Sequence, residues 1–151
     1  MDETVLAYIE IEGFYLMLYR NKKKNDMNEG KWMGVGGHIE PGETPDQALV
    51  REIKEETNLD VTSFRYVAKL LFVNDDYQEI MHLYKVDAVE GEIKECNEGD
   101  LRYIPKESIH LLSMWEGDKY FLDRLDDDYF ELTLIYKDKE LVEVKEVIST
   151  I

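Results

Sequence analysis

The stretch from Pro45 to Thr57 constrains the fold most, because both of its ends are punctuated for a helix. Thr44 is a natural N-cap, Pro45 has its φ pre-set for the first helical position, and Gln47 completes a Thr-x-x-Gln capping box. Leu49, Val50, Ile53 and Thr57 recur at helical spacing and supply the apolar side. Asn58 suits the left-handed residue that closes such a helix, with Leu59 after it. On this helix Glu52, Glu55 and Glu56 are spaced i, i+3, i+4 and share one face, and Arg51, four residues before Glu55, borders it. Like charges at these spacings cost about 0.2–0.5 kcal/mol each. Acidic triplets are common on solvated helix faces, so the triplet alone decides nothing. The sequence ahead of it does: Gly34, Gly36 and Gly37 make a loop where backbone can approach phosphate or metal closely. Hard carboxylate oxygens beside such a loop suit Mg²⁺, with Mn²⁺ as the alternative ion.

Around this helix the chain reads mainly as strands. Val5 to Ile11 and Phe14 to Tyr19 flank a turn at Gly13, and the polar stretch Asn21 to Lys31 is a loop. Trp32 to Gly37 is short and glycine-rich. Phe64 to Val73 and Ile80 to Val89 are strands about the turn Asn74-Asp75-Asp76. Gly91 to Gly99 is an acidic loop with room for one short strand, and Leu101 to Ile104 is another strand. Pro105 opens a brief helical turn, and Asp118 to Leu125 is a second helix. Phe130 to Tyr136 and Leu141 to Val147 form a terminal hairpin. Strands that mostly follow one another, with two helices, predict an α/β (α+β) sandwich with a mixed central sheet, not a doubly wound parallel one. Residues 1–151 read as a single domain.

Composition limits the partners. With 34 acidic and 18 basic residues the formal net charge is −16, a field that repels nucleic-acid polymers and anionic membranes. A polyanionic small substrate approaches such a surface only with divalent cations between. No apolar run approaches the roughly 20 residues of a membrane span. The N-terminus is acidic where a secretory signal is basic, so a cytoplasmic location is expected. Cys96, the single cysteine, excludes an internal disulfide and a multi-cysteine metal site, and is expected to be inert. His38, His82 and His110 show no ligand spacing.

From Gly37 the sequence runs Gly-x5-Glu-x7-Arg-Glu-Ile-x-Glu-Glu-x-Asn-Leu, through Glu43, Arg51, Glu52, Glu55, Glu56, Asn58 and Leu59. This resembles the signature box of the Nudix hydrolases at every fixed position but the last glycine, here Asn58, a residue that tolerates the left-handed region. The resemblance implies a Nudix-type α/β/α sandwich. It implies that Glu52, Glu55 and Glu56 bind metal with help from a backbone carbonyl at Gly36 or Gly37. Glu43 would pair with Arg51 and orient the box. Glu98, in Cys96-Asn97-Glu98-Gly99, matches the family's additional acid near the metals; it would bind metal or, like Glu55, act as general base, against the plainer reading of a loop glutamate.

Lys31-Trp32-x-Gly34-x-Gly36-Gly37 and Met114-Trp115-Glu116-Gly117-Asp118 are similar to the MutT/MutX-type 8-oxo-dGTP diphosphatase branch. There Trp115 would stack on a purine while Asp118 reads its edge; alternatively Trp115 packs in the core and Asp118 caps the following helix. Arg20 is a phosphate contact or a surface arginine, and Lys22, Lys23 and Lys24 a solvated loop. Met27 and Met33 match positions that touch the base in some relatives, and Lys31 is a further substrate-binding candidate. Met33 stands where the mammalian members have Asn, and Gly117 replaces one of their paired acids, which bears on selectivity for oxidised guanine. The function implied is Mg²⁺-dependent hydrolysis of nucleoside triphosphates to monophosphate and pyrophosphate, clearing oxidised purines such as 8-oxo-dGTP. Two alternatives are a Nudix hydrolase of ADP-ribose or a nucleotide sugar, and a non-catalytic nucleotide sensor. The expected partner is a nucleotide, and the protein would be a monomer or a homodimer.

Overall fold

The computed structural model describes residues 1–22, 24 and 26–147. In chain order the elements are β1 (Asp2–Ile11), β2 (Phe14–Tyr19), β3 (Trp32–Met33), β4 (Val35–His38), α1 (Pro45–Thr57), β5 (Asp60–Asn74), β6 (Tyr77–Glu90), β7 (Asp100–Pro105), a 3₁₀ turn (Lys106–Leu111), α2 (Asp118–Leu122), β8 (Phe130–Lys137) and β9 (Glu140–Val147). One sheet runs β3-β2-β1-β6-β5-β8-β9, with β4 on β1 and β7 on β2. The pairs β1–β6 and β5–β8 are parallel and the others antiparallel, so the sheet is mixed.

Alternation along β1 divides the core. Val5, Ala7 and Ile9 point to the face that α1 covers with Ala48, Leu49 and Ile53. Leu6 and Tyr8 point to the opposite face, where Trp115, Phe121 and Leu122 meet Phe72, Leu83 and Leu134. With α1 on one side and the 3₁₀ turn plus α2 on the other, the layers are helix, sheet, helix. The helix ends form as their sequence requires. Gln47 N–H donates to Thr44 Oγ1 at 3.2 Å while Thr44 N–H donates back to Gln47 Oε1 at 3.0 Å, and Asn58 adopts φ 71°.

Several bounds differ from the sequence reading. The strands β5 and β6 extend beyond Phe64–Val73 and Ile80–Val89: at one end register shifts between Val61 and Ala68 carry polar residues through irregular pairing, and at the other Asn74 pairs with Tyr77 about a two-residue turn. Gly91 to Gly99 holds no strand; instead Lys94 N–H donates to Thr57 O at 3.1 Å and Asn58 Nδ2 to Glu92 O at 3.0 Å, tying the loop to the end of α1. The second helix stops at Leu122, where Arg124 N–H bonds Phe121 O at 3.0 Å, three residues back, and the chain tightens into turns. The terminal hairpin forms over Asp138 and Lys139, both with positive φ, of 49° and 67°, the backbone a two-residue hairpin turn demands. It completes the sheet, leaving β9 as an edge.

Candidate active site

On α1 the acidic face is divided. Glu52 and Glu56 turn inward against β4, with Glu56 7% exposed and the Glu52 side chain 13%, whereas the Glu55 side chain is 59% exposed. Gly36 N–H donates to Glu56 Oε2 at 3.3 Å. A Cβ on Gly37 would lie 2.5 Å from Glu52 Oε2, so this glycine makes room for a carboxylate. A Cβ on Gly36 would lie 1.9 Å from the Val5 carbonyl oxygen, so that glycine lets β4 pair with β1.

Arg51 binds the box together. Its Nε and Nη2 form a fork on Glu43 at 2.7 and 2.8 Å, Nη1 reaches Glu52 at 2.8 Å and Glu55 at 3.1 Å, and Nη2 reaches His38 O at 3.0 Å. The guanidinium holds the Glu43 carboxyl down to about 2. Burial pushes Glu52 up, with Arg51 opposing it. Burial pushes Glu56 far above the ordinary carboxylate range, and the Glu98 carboxyl hydrogen-bonded beside it adds to the effect.

Glu98 comes from the loop before β7 and completes this inward group. Its Oε2 is 3.6 Å from Arg20 Nη1, and its N–H points to Cys96 Sγ at 3.5 Å. Three carboxylates crowded in a half-buried site repel one another, and a divalent cation would relieve both the repulsion and the desolvation. Their oxygen donors fit Mg²⁺ or Mn²⁺. Among the described residues no three His, Cys, Asp or Glu side chains already stand grouped as a metal site. Glu55 stands outside this inward group, ion-paired with Arg51.

The carboxylates open into a cavity of about 410 Å³ that crosses the sheet face opposite α1. Neighbouring strands lie about 4.8 Å apart, and the lining follows them: Gly36 and Gly37 on β4, Thr4 and Leu6 on β1, Glu79 and Met81 on β6, Phe72 on β5. Met33 on β3, Met27 from the loop before it, and Trp115 and Asp118 at the start of α2 complete the lining. From the glycines to β6 is two strand spacings, about 10 Å, the span of one nucleoside.

Most substrate-side expectations fall on this cavity. Arg20, Met27, Met33, Trp115 and Asp118 line it. Arg20 is anchored by Asp26 at 2.7 Å and is no free surface arginine. Trp115 packs edge-on against Phe72 and Tyr136, with centroids 5.1 and 5.0 Å away, and also lines the cavity. Its Nε1 donates to Asn28 Oδ1 at 2.8 Å. Asp118 does not cap α2, whose first turn has no side-chain cap; burial pushes its carboxyl up to about 8, against the pull of Lys31. Lys31 is not part of the lining; its Nζ lies 5.0 Å from the centre of the Trp115 ring and braces it from behind. Lys22, read as solvated, binds Glu95 at 3.2 Å and Cys96 O at 2.8 Å; Lys23 lies outside the described residues. Cys96 is buried and burial raises its thiol, as inertness requires.

Sequence reasoning missed Thr4, Phe72, Tyr77, Glu79 and Met81. A signal existed for two of them. Thr4 and Glu79 occupy strand positions of the same parity as the core residues Leu6 and Leu83, and a polar residue at core parity is a departure to explain.

This arrangement defines a class: a carboxylate helix against a glycine strand, feeding a nucleotide-sized cavity in a mixed-sheet sandwich. Residues 4–125 match the NUDIX domain, and the chain belongs to the Nudix hydrolase family. It is 34% identical over 98 residues to an oxidized purine nucleoside triphosphate hydrolase of Danio rerio, covering 64% of this chain and 63% of that protein. It is 30% identical over 105 residues to the Mus musculus protein of the same name, covering 68% and 67%. The aligned part thus falls short of two thirds of the first relative's length. A MutT protein structure from Bacillus halodurans superposes with TM-score 0.87 at 24% identity, over 97% of each chain, and shares the fold. Among the described residues no helix is long and apolar enough to cross a membrane.

Proposed function

We propose that this protein hydrolyses nucleoside triphosphates to monophosphate and pyrophosphate with Mg²⁺, or Mn²⁺ in its place, acting in the cytoplasm on oxidised purines such as 8-oxo-dGTP. The observation that carries this reading is one cavity joining two chemistries: the Glu52, Glu56 and Glu98 carboxylates at one end and the Phe72, Met81, Met27, Met33 and Trp115 walls at the other. Such walls suit a flat aromatic base. When bound by Glu52, Glu56 and Glu98, the metal would neutralise the phosphates and stabilise the developing charge.

The chain's own residues then position and move the proton. Arg20, beside Glu98, faces the phosphates. A water oxygen bonds to phosphorus in the α–β region while the bond to the bridging oxygen breaks, and pyrophosphate leaves. Glu98 lines the cavity and accepts the proton of that water; Glu55, exposed and ion-paired with Arg51, does not. Arg51 and Glu43 hold α1 against β4 and are positioning residues. The test is pyrophosphate release from 8-oxo-dGTP, dGTP and other nucleoside triphosphates, and AMP release from ADP-ribose, all with Mg²⁺. Preferential turnover of oxidised purines supports the proposal. Equal turnover of all triphosphates removes the oxidised-purine part, and turnover of ADP-ribose alone removes the triphosphate part.

A further inference from the structure

The outer end of the cavity carries a carboxylate that the metal chemistry does not use. Glu79 on β6 lines the cavity beside Met81 and Phe72. Each of its oxygens already accepts one hydroxyl: Thr4 Oγ1 donates to Oε2 at 2.6 Å and Tyr77 Oη donates to Oε1 at 2.6 Å. Tyr77 is itself fixed, packing edge-on against Phe72 at 6.2 Å between centroids and reaching Asp2 at 3.1 Å. Thr4 is buried at 7% exposure and also lines the cavity. The carboxylate is therefore held in one orientation by neighbours on three strands. An ionised carboxylate only accepts, and each oxygen retains acceptor capacity after one hydroxyl.

We propose that Glu79 is a specificity-determining residue that accepts two adjacent N–H groups from a guanine-type base, with Thr4 and Tyr77 as its positioning residues. This rests on the nucleotide reading above. His82 on β6 is level with Gly37, and Glu79 lies three residues further along; two strand spacings across and three residues along put it about 14 Å from the glycines, at the base end of a nucleotide whose phosphates meet the carboxylates. A matched pair of acceptors calls for a matched pair of donors. The guanine edge presents a ring N–H beside an exocyclic amine. Adenine presents one amine beside a ring acceptor, and uracil or thymine one N–H between two carbonyls. Loss of one hydrogen bond to a charged acceptor in such a site weakens recognition by about ten- to a hundredfold.

The test compares kcat/KM for dGTP and dITP, which differ only in that exocyclic amine, in the wild type, Glu79→Gln and Thr4→Val. The wild type is expected to favour dGTP by tenfold or more. Glu79→Gln, which replaces one acceptor oxygen with a donor, brings that ratio close to unity, with the change mainly in KM. Thr4→Val, which frees the carboxylate without removing it, lowers the ratio part of the way. A wild-type ratio near unity, or an undiminished ratio in Glu79→Gln, overturns the role of Glu79 and leaves the hydrolase reading standing. A purely structural role lowers both substrates equally and preserves the ratio. Absence of pyrophosphate release from every triphosphate refutes the hydrolase reading, and the Glu79 role with it.

Discussion

Asp118 should make the protein less stable as pH rises, and Asp118→Asn should remove that dependence. The carboxyl is buried on the cavity wall and its folded value is about 8, against an ordinary 3.8. Between those values the folded chain holds a proton that the unfolded chain has lost. Stability rises with pH only where the unfolded state binds more protons, so here it falls across the window and levels off above 8. At about 1.4 kcal/mol per unit, the cost accumulated by pH 7 is about 4 kcal/mol at most. Asparagine keeps the shape and cannot ionise. Thermal melts of both proteins from pH 4 to 9 check this. The variant should gain on the wild type steadily from pH 4 to 8, reaching as much as about 20 °C for a chain of this size. Taking the difference between the two proteins cancels the other carboxylates wherever they do not touch Asp118. Parallel curves, with a constant difference at every pH, would refute the reasoning, because they require an Asp118 carboxyl that is equally charged in both states.

The glycine strand and the box give two further outcomes. Gly37→Ala places a methyl against the flexible Glu52 carboxylate, whereas Gly36→Ala places one 1.9 Å from the Val5 backbone oxygen. Gly37→Ala should therefore raise the Mg²⁺ concentration needed for half-maximal activity at little cost in Tm, and Gly36→Ala should lower Tm by several degrees or prevent folding; equal effects in both assays would contradict the geometry. Glu43→Gln loosens the Arg51 fork and should lower kcat about tenfold through misplacement of Glu52, with substrate KM little changed; an unaltered kcat would show that the fork positions nothing.

What was legible in the sequence was local. The capping box at Thr44 and Gln47, the left-handed Asn58 and the hairpin at Asp138 and Lys139 depend on residues a few positions apart, and each formed as read. The division of the acidic face was not legible from spacing. At about 100° per residue, Glu52 and Glu56 lie 40° apart on α1, and Arg51 and Glu55 form a second pair 40° apart. Which pair turns inward depends on how Leu49 and Ile53 seat the helix on the sheet, a tertiary fact. The cavity was harder still. Thr4, Arg20, the β5–β6 hairpin pair Phe72 and Glu79, and Trp115 come from four separate parts of the chain, and only the parallel register of β1 with β6 brings Thr4 and Glu79 within reach. Lys31 illustrates the same limit, since its sequence position beside Trp32 gave no sign that it would brace Trp115.

On this geometry the inward carboxylates, and not the acidic face as a whole, would hold the metal and drive phosphoanhydride hydrolysis. Mg²⁺-dependent pyrophosphate release from 8-oxo-dGTP, measured for wild type, Glu56→Gln and Glu55→Gln, tests it most directly. The expected result is turnover by the wild type, a loss in kcat of about a hundredfold or more in Glu56→Gln, and a much smaller loss in Glu55→Gln. Equal losses in the two variants, or a Glu56→Gln protein as active as the wild type, would contradict it.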